Sequence, residues 1–74
     1  MPELPRITAS EIIAVLEKVG FVCTRQSGSH KIFKNEKGLR ATVPFHSGAI
    51  LHPKLLKSIL READMTVERL KELL

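Results

Sequence analysis

A histidine follows directly after a glycine turn in the middle of this chain, in the segment Ser27-Gly28-Ser29-His30. Gly28 can adopt a positive φ and lets a phosphate or another backbone come close. Histidine accepts and returns a proton near neutral pH, and Arg25, Lys31 and Lys34 surround this one with positive charge. These residue types fit RNA cleavage, in which a base removes the 2′-OH proton and cations stabilise the phosphate. On the residues alone, a purely structural histidine at a strand end is the more common case.

The other reactive side chains point to little further chemistry. Cys23 lies within a strand-like segment, where cysteines are mostly inert core residues, and a single cysteine forms neither an internal disulfide nor a four-cysteine zinc site. His30, His46 and His52 lack the spacing of metal ligands, and no nucleotide-binding fingerprint occurs. We therefore expect no metal site and no cofactor.

Positive charge is concentrated in the centre of the chain. The net charge is +4, but residues 21–61 carry eight Lys and Arg against a single Glu, and both ends are acidic. Clustered cations gain affinity for a polyanion by releasing counterions from its phosphates. A solvated surface explains this charge equally well.

The length of 74 residues predicts one small domain, residues 1–74. A chain of this size buries only about 60% of the surface that its unfolded form exposes. No apolar run approaches the roughly 18 residues of a membrane span, and the N-terminus lacks the pattern of a signal peptide. We therefore expect a cytoplasmic protein without membrane contacts.

Helix boundaries are marked by capping residues. Thr8 and Glu11 form a capping-box pattern, and apolar residues at helical spacing follow them. This predicts a first helix over residues 9–19. A loop is predicted over residues 44–52. A second helix follows it, with His52 as its start residue and Pro53 in its first turn. Thr66 is the predicted cap of a short third helix.

Strand signals fill the middle of the chain, in residues 21–26, 29–34 and 39–43. Their connections are short enough for hairpins, so they form an antiparallel meander. Alternation places His30, Ile32 and Lys34 on one face and Phe33 on the other. The fold class is α+β, in the order α-β-β-β-α plus a short C-terminal helix, with helices covering one face of a three-stranded antiparallel sheet. We expect a partner to bind the bare face, although the bare face of a three-stranded sheet can also simply be solvated.

Several motifs between residues 8 and 65 occur together: the segment Arg25–His30, Phe33, Val43-Pro44, His46 and the helical segment 58–63. In this combination the chain resembles the HicA family, which are small toxins of bacterial and archaeal type II toxin–antitoxin systems. The chain departs from the family pattern at Lys54-Leu55, where Gly-Thr is frequent, and at Asp64, where Gly is frequent.

The resemblance implies a fold like the double-stranded RNA-binding domain and a metal-independent endoribonuclease acting on mRNA. It implies that His30 is the catalytic residue and that a HicB-type antitoxin covers the active face. Lys54 and Lys57 match the basic start of the second helix in double-stranded RNA-binding domains. The general acid stays open between Lys31 and His46. The expected RNA-binding residues are Arg25, Ser27, Gly28, Ser29, Lys31, Lys34, Arg40, His46, Lys54 and Lys57.

Two other functions fit the same residues. One is an RNA-binding module without catalysis, which recognises shape and phosphates. The other is an adaptor that docks a protein on the bare sheet face. A steep salt dependence of RNA affinity is expected for a nuclease or an RNA-binding module, but not for the adaptor.

Overall fold

The helices and strands follow the predicted order in a computed structural model that describes residues 3–46 and 48–74. They are α1 (Ala9–Lys18), β1 (Val22–Ser27), β2 (His30–Lys34), β3 (Arg40–Pro44), α2 (Pro53–Glu62) and α3 (Val67–Leu73). The strands pair antiparallel in the order β1-β2-β3. The predicted α+β fold is confirmed, and the predicted bounds of the first helix and the strands agree within one residue. Within the described ranges, no helix is long and apolar enough to cross a membrane.

Both ends of α1 are fixed by local hydrogen bonds. At its start, the Thr8 hydroxyl accepts from Glu11 N at 3.3 Å, and the Glu11 carboxylate accepts from Thr8 N at 3.0 Å. At its end, Phe21 N donates to Leu16 O at 3.0 Å across Gly20, whose φ is 95°. This is a Schellman motif, which turns the chain out of the helix and into the sheet.

The end of α2 has the same Schellman motif, with Asp64 at the position that glycine holds at the end of α1. Met65 N donates to Leu60 O at 2.9 Å across Asp64, whose φ is 53°. Glycine is usual at such a position because a Cβ is crowded in the left-handed region. The chain then enters α3 after Thr66, whose hydroxyl accepts from Arg69 N at 3.1 Å.

The hydrophobic core lies between one face of the sheet and the helices. The sheet contributes Phe33, Ala41 and Val43, each no more than 1% exposed. The helices cover these side chains with buried residues at helical spacing: Ile12, Val15 and Leu16 from α1, Leu56, Ile59 and Leu60 from α2, and Leu70 from α3.

The helices leave β1 uncovered, and this corrects the interpretation of Cys23. All six residues of β1 are exposed, Cys23 among them. The expectation of a buried core cysteine is wrong, because α1 and α2 pack on β3, at the other edge of the sheet from β1. The Cys23 thiol donates a hydrogen bond to the carbonyl oxygen of Arg25, at 3.6 Å.

The segment predicted as a loop over residues 44–52 makes backbone pairs at both of its ends. Pro44 is the last residue of β3, and Ile50 forms an isolated antiparallel bridge with Thr8. Leu51 N donates to Ile7 O at 2.8 Å. This bridge fixes the approach to α2 against the segment that precedes α1.

Replacing Asp64 by glycine is expected to stabilise the protein, because glycine has no steric penalty at a φ of 53°. We expect a gain of about 1 kcal/mol in the free energy of unfolding. That corresponds to a rise in Tm of ~4–8 °C for a domain of this size. Thermal unfolding followed by circular dichroism measures it. Asp64→Ala is the control, since it removes the carboxylate but keeps the Cβ. An equal gain from both variants would contradict the backbone explanation.

Candidate active site on the open sheet face

The sheet face opposite the core carries side chains that no helix covers. Because cross-strand partners point to the same side of a sheet, the strand register arranges these side chains in three rows. We call this surface the open face. Its rows are Val22–Lys34–Arg40, Arg25–Ile32–Thr42 and Ser27–His30–Pro44.

His30 is exposed on the open face as the first residue of β2. It follows a two-residue turn in which Gly28 has a φ of 58° and Ser29 a negative φ. This pattern is that of a type II′ turn, which requires glycine at its first central position. Apart from Gly28 and its two chain neighbours, no atom of the described residues lies within 4 Å of where a Gly28 Cβ would be. The turn conformation therefore requires the glycine, and the space beside it is open to a ligand.

A backbone hydrogen bond fixes this turn to the end of β3. Phe45 N donates to Ser29 O at 2.6 Å. In an antiparallel ladder, pairs that exchange backbone hydrogen bonds alternate with pairs that do not. The pair of His30 and Pro44 is next to the hydrogen-bonded pair of Ser29 and Phe45, so it exchanges no backbone hydrogen bonds. Side chains in such pairs approach closely. A proline at this position costs the ladder no hydrogen bond. His30 is thus held between Ser27 and Pro44 in its row.

The basic residues of the open face lie at increasing distances from His30. Arg25 is its diagonal neighbour across the β1–β2 pair, which corresponds to about 7–8 Å. Lys34 and Arg40 lie two rows further along the sheet, or roughly 13 Å at 3.3 Å per residue. Arg25 can therefore reach a phosphate beside His30, whereas Lys34 and Arg40 can reach neighbouring nucleotides.

These cations have no carboxylate partner. In residues 3–46 and 48–74, the one ion pair joins Arg69 and Glu72 on α3, at 3.2 Å. Arg25, Lys34 and Arg40 are all exposed and unpaired. Unneutralised charge on one surface raises the local concentration of anionic ligands. The open face is suited to bind a polyanion.

Lys31 points to the opposite side of the sheet from His30. Its cross-strand partners are Gln26 and Val43, and its Nζ lies 4.4 Å from the centroid of the Phe45 ring. A cation–π contact at an exposed site contributes about 0.5–1 kcal/mol. The structure therefore separates Lys31 from the His30 imidazole and places it against the residue that fixes the turn.

The other predicted RNA contacts lie around the start of α2. Lys54 and Lys57 are exposed in its first turns, and His46 is exposed in the segment after β3. His52 is the helix-start residue, as predicted, and its Nδ1 accepts from Lys54 N at 3.1 Å. In the described part of the chain, no group of three His, Cys, Asp or Glu side chains is placed to hold a metal ion.

An apolar cavity of about 160 Å³ lies where the end of β3 and the segment after it meet the starts of α1 and α2. Pro44 is in its wall, and the same residue is the cross-strand partner of His30. The sequence does not predict this cavity, because residues 44–52 lack a periodic pattern. The one signal is the apolar run Ala49-Ile50-Leu51, whose members all line the cavity.

Comparison with known proteins identifies the family. A family model described as the HicA toxin of bacterial toxin–antitoxin systems matches residues 9–65. The match runs from the first residue of α1 to beyond the end of α2 and includes the whole sheet. The chain belongs to the HicA toxin family. Membership makes it the toxin of a toxin–antitoxin pair and implies an antitoxin partner. A comparison with curated proteins finds no match.

Replacing Gly28 by alanine is expected to destabilise this HicA toxin, because a Cβ is strained at a φ of 58°. We expect a loss of about 1 kcal/mol, or a fall in Tm of ~4–8 °C. Ser29→Ala is the control in the same turn, since position 29 has a negative φ and needs no glycine. Thermal melting of the two variants measures the difference. Unchanged melting of Gly28→Ala would show that the turn does not require glycine.

Proposed function

We propose that this HicA toxin is a metal-independent endoribonuclease that cleaves mRNA with His30 as the general base. We further propose that a HicB-type antitoxin restrains it by covering the open face. One observation carries the proposal most directly. His30 is exposed beside a fixed glycine turn, on an uncovered sheet face whose cations have no carboxylate partners.

In the proposed reaction, a His30 ring nitrogen accepts the proton of a ribose 2′-OH. The 2′-oxygen then bonds to the adjacent phosphorus while the bond from phosphorus to the 5′-oxygen breaks. The leaving oxygen takes a proton from His46 or from water, since Lys31 lies on the other side of the sheet. The products are a 2′,3′-cyclic phosphate and a 5′-hydroxyl. Arg25 stabilises the charge on the non-bridging oxygens.

The rate expected from this arrangement is modest. General acid–base catalysis supplies only ~10²–10⁴-fold, and charge stabilisation by the basic residues must add the remainder. A toxin tolerates a slow rate, because each message that is cut stays cut.

RNA binding is expected to depend mainly on phosphate contacts. The open face carries no Phe, Tyr or Trp in its three rows, so stacking platforms of the kind found in many single-strand binders are lacking there. Arg25 with the Ser27–Ser29 turn would hold the phosphate at His30, and Lys34 with Arg40 would hold the next ones. Lys54, Lys57 and His46 would contact the RNA on the other side of Pro44.

Replacing His30 by alanine is expected to reduce RNA cleavage by at least ~10²-fold. RNA affinity should stay close to the wild-type value, because the phosphate-binding cations are intact. Cleavage of a labelled RNA and filter binding measure the two properties separately. An RNA with a single 2′-deoxy substitution at the cleaved nucleotide should resist the wild-type toxin, and a chelator should leave the rate unchanged.

The alternatives give different results in the same assay. Equal cleavage by wild type and His30→Ala would contradict the role of His30. Binding without cleavage by either protein would identify a non-catalytic RNA-binding module.

Neutralising an open-face cation is expected to flatten the salt dependence of RNA affinity. Lys34→Ala and Arg40→Ala should each lower the slope of log K against log salt by ~0.7, the value for one phosphate contact on a single strand. Lys71→Ala is the control, because Lys71 is exposed on α3. Titrations at several salt concentrations measure the slopes. Negligible salt-dependent affinity in the wild type would favour a protein-docking adaptor.

A further inference from the structure

Apart from His46, the residues that line the apolar cavity beside Pro44 take no part in the chemistry proposed above. On the basis of the proposed ribonuclease function, we propose that this cavity binds a pyrimidine base of the RNA, next to the phosphate that His30 faces. The toxin would then cut preferentially beside pyrimidines.

The volume of the cavity fits a single ring. It measures about 160 Å³, and an apolar protein cavity of about 150 Å³ is known to hold one benzene molecule. Pockets for drug-sized ligands occupy roughly 300–1,000 Å³. A single pyrimidine ring therefore matches this volume.

The cavity walls offer apolar surface for the faces of a pyrimidine ring and a hydrogen-bond donor for its edge. Apolar side chains from Pro44, Ala49 and Leu55 line the cavity, and two imidazoles line it as well, from His46 and His52. Nδ1 of His52 accepts a hydrogen bond from the backbone of α2, which in the neutral ring leaves Nε2–H as the donor. Uracil and cytosine both carry a carbonyl oxygen at C2 that can accept from such a donor.

The surroundings favour a nucleotide over an apolar protein side chain. The cavity wall includes Pro44, the cross-strand partner of His30, as well as His52 and Leu55, which flank the exposed Lys54 along the chain. A base in the cavity would therefore have His30 towards one of its flanking phosphates and Lys54 towards the other. Ile50, which lines the cavity, is 54% exposed. A bound base would remove part of this apolar surface from water.

Binding of short homopolymers to the His30→Ala variant tests the proposal without turnover. We expect rU4 and rC4 to bind about tenfold more tightly than rA4, within the range measured for base contacts. In NMR spectra, the methyl groups of Ala49, Ile50 and Leu55 should shift with rU4 and rC4 and much less with rA4. Equal affinities, or RNA-induced shifts confined to the open face, would overturn the proposal. Shifts confined to the open face would favour a protein partner as the occupant of the cavity.

Filling the cavity provides a second test. Ala49 is exposed, so Ala49→Leu should fold, and its affinity for rU4 should fall about tenfold to that for rA4. Its salt slope should not change, because the cations are intact. Ala14→Leu is the matched control, since Ala14 is exposed on α1 and lines a different cavity, beside α3. Unchanged rU4 affinity in folded Ala49→Leu would overturn the proposal.

The two proposals fail in different ways. Cleavage by the wild type without preference for pyrimidines would overturn the base site alone. Pyrimidine-selective binding without any cleavage by the wild type would support the base site and contradict the ribonuclease.

Discussion

The hydrogen bond between Phe45 N and Ser29 O, together with the positive φ of Gly28, fixes where the His30 side chain leaves the sheet. A two-residue turn sets the register of the β1–β2 hairpin, and a slip of one residue would move every side chain of a strand to the other face. Such a slip would place His30 towards the helices and Phe33 in water. The same register that buries Phe33 therefore presents His30 on the basic surface, so folding and the site depend on one constraint.

The helices cover only one side of the sheet, which lowers the stability of the fold but leaves the open face free for the site. The helices bury Phe33, Ala41 and Val43, while the open face keeps unpaired cations close together. Their mutual repulsion opposes folding, and a bound polyanion or an acidic protein surface relieves it. RNA and an antitoxin are thus expected to compete for the same surface.

Much of this fold could be predicted from the sequence because the helix starts carry their own chemical signals. The capping box of Thr8 and Glu11 defines the start of α1, and strict alternation assigns His30 and Phe33 to opposite faces. The exposure of Cys23 could not be predicted, because it depends on which strand the helices cover. The cavity beside Pro44 could not be predicted either, since it forms where the end of β3, an irregular segment and the start of α2 meet. Asp64, by contrast, stands where glycine is frequent in the family, and the structure gives it a positive φ, the conformation that glycine favours.

The most direct test of the central claim is a crystal structure of the toxin with a short RNA whose reactive 2′-OH is replaced by fluorine. We predict that the RNA lies on the open face, with a His30 ring nitrogen within hydrogen-bonding reach of the 2′ position, about 2.6–3.2 Å. The phosphate next to this ribose should contact Arg25, and a neighbouring phosphate should contact Lys34. RNA bound along the helices, with His30 touching neither ribose nor phosphate, would contradict the account.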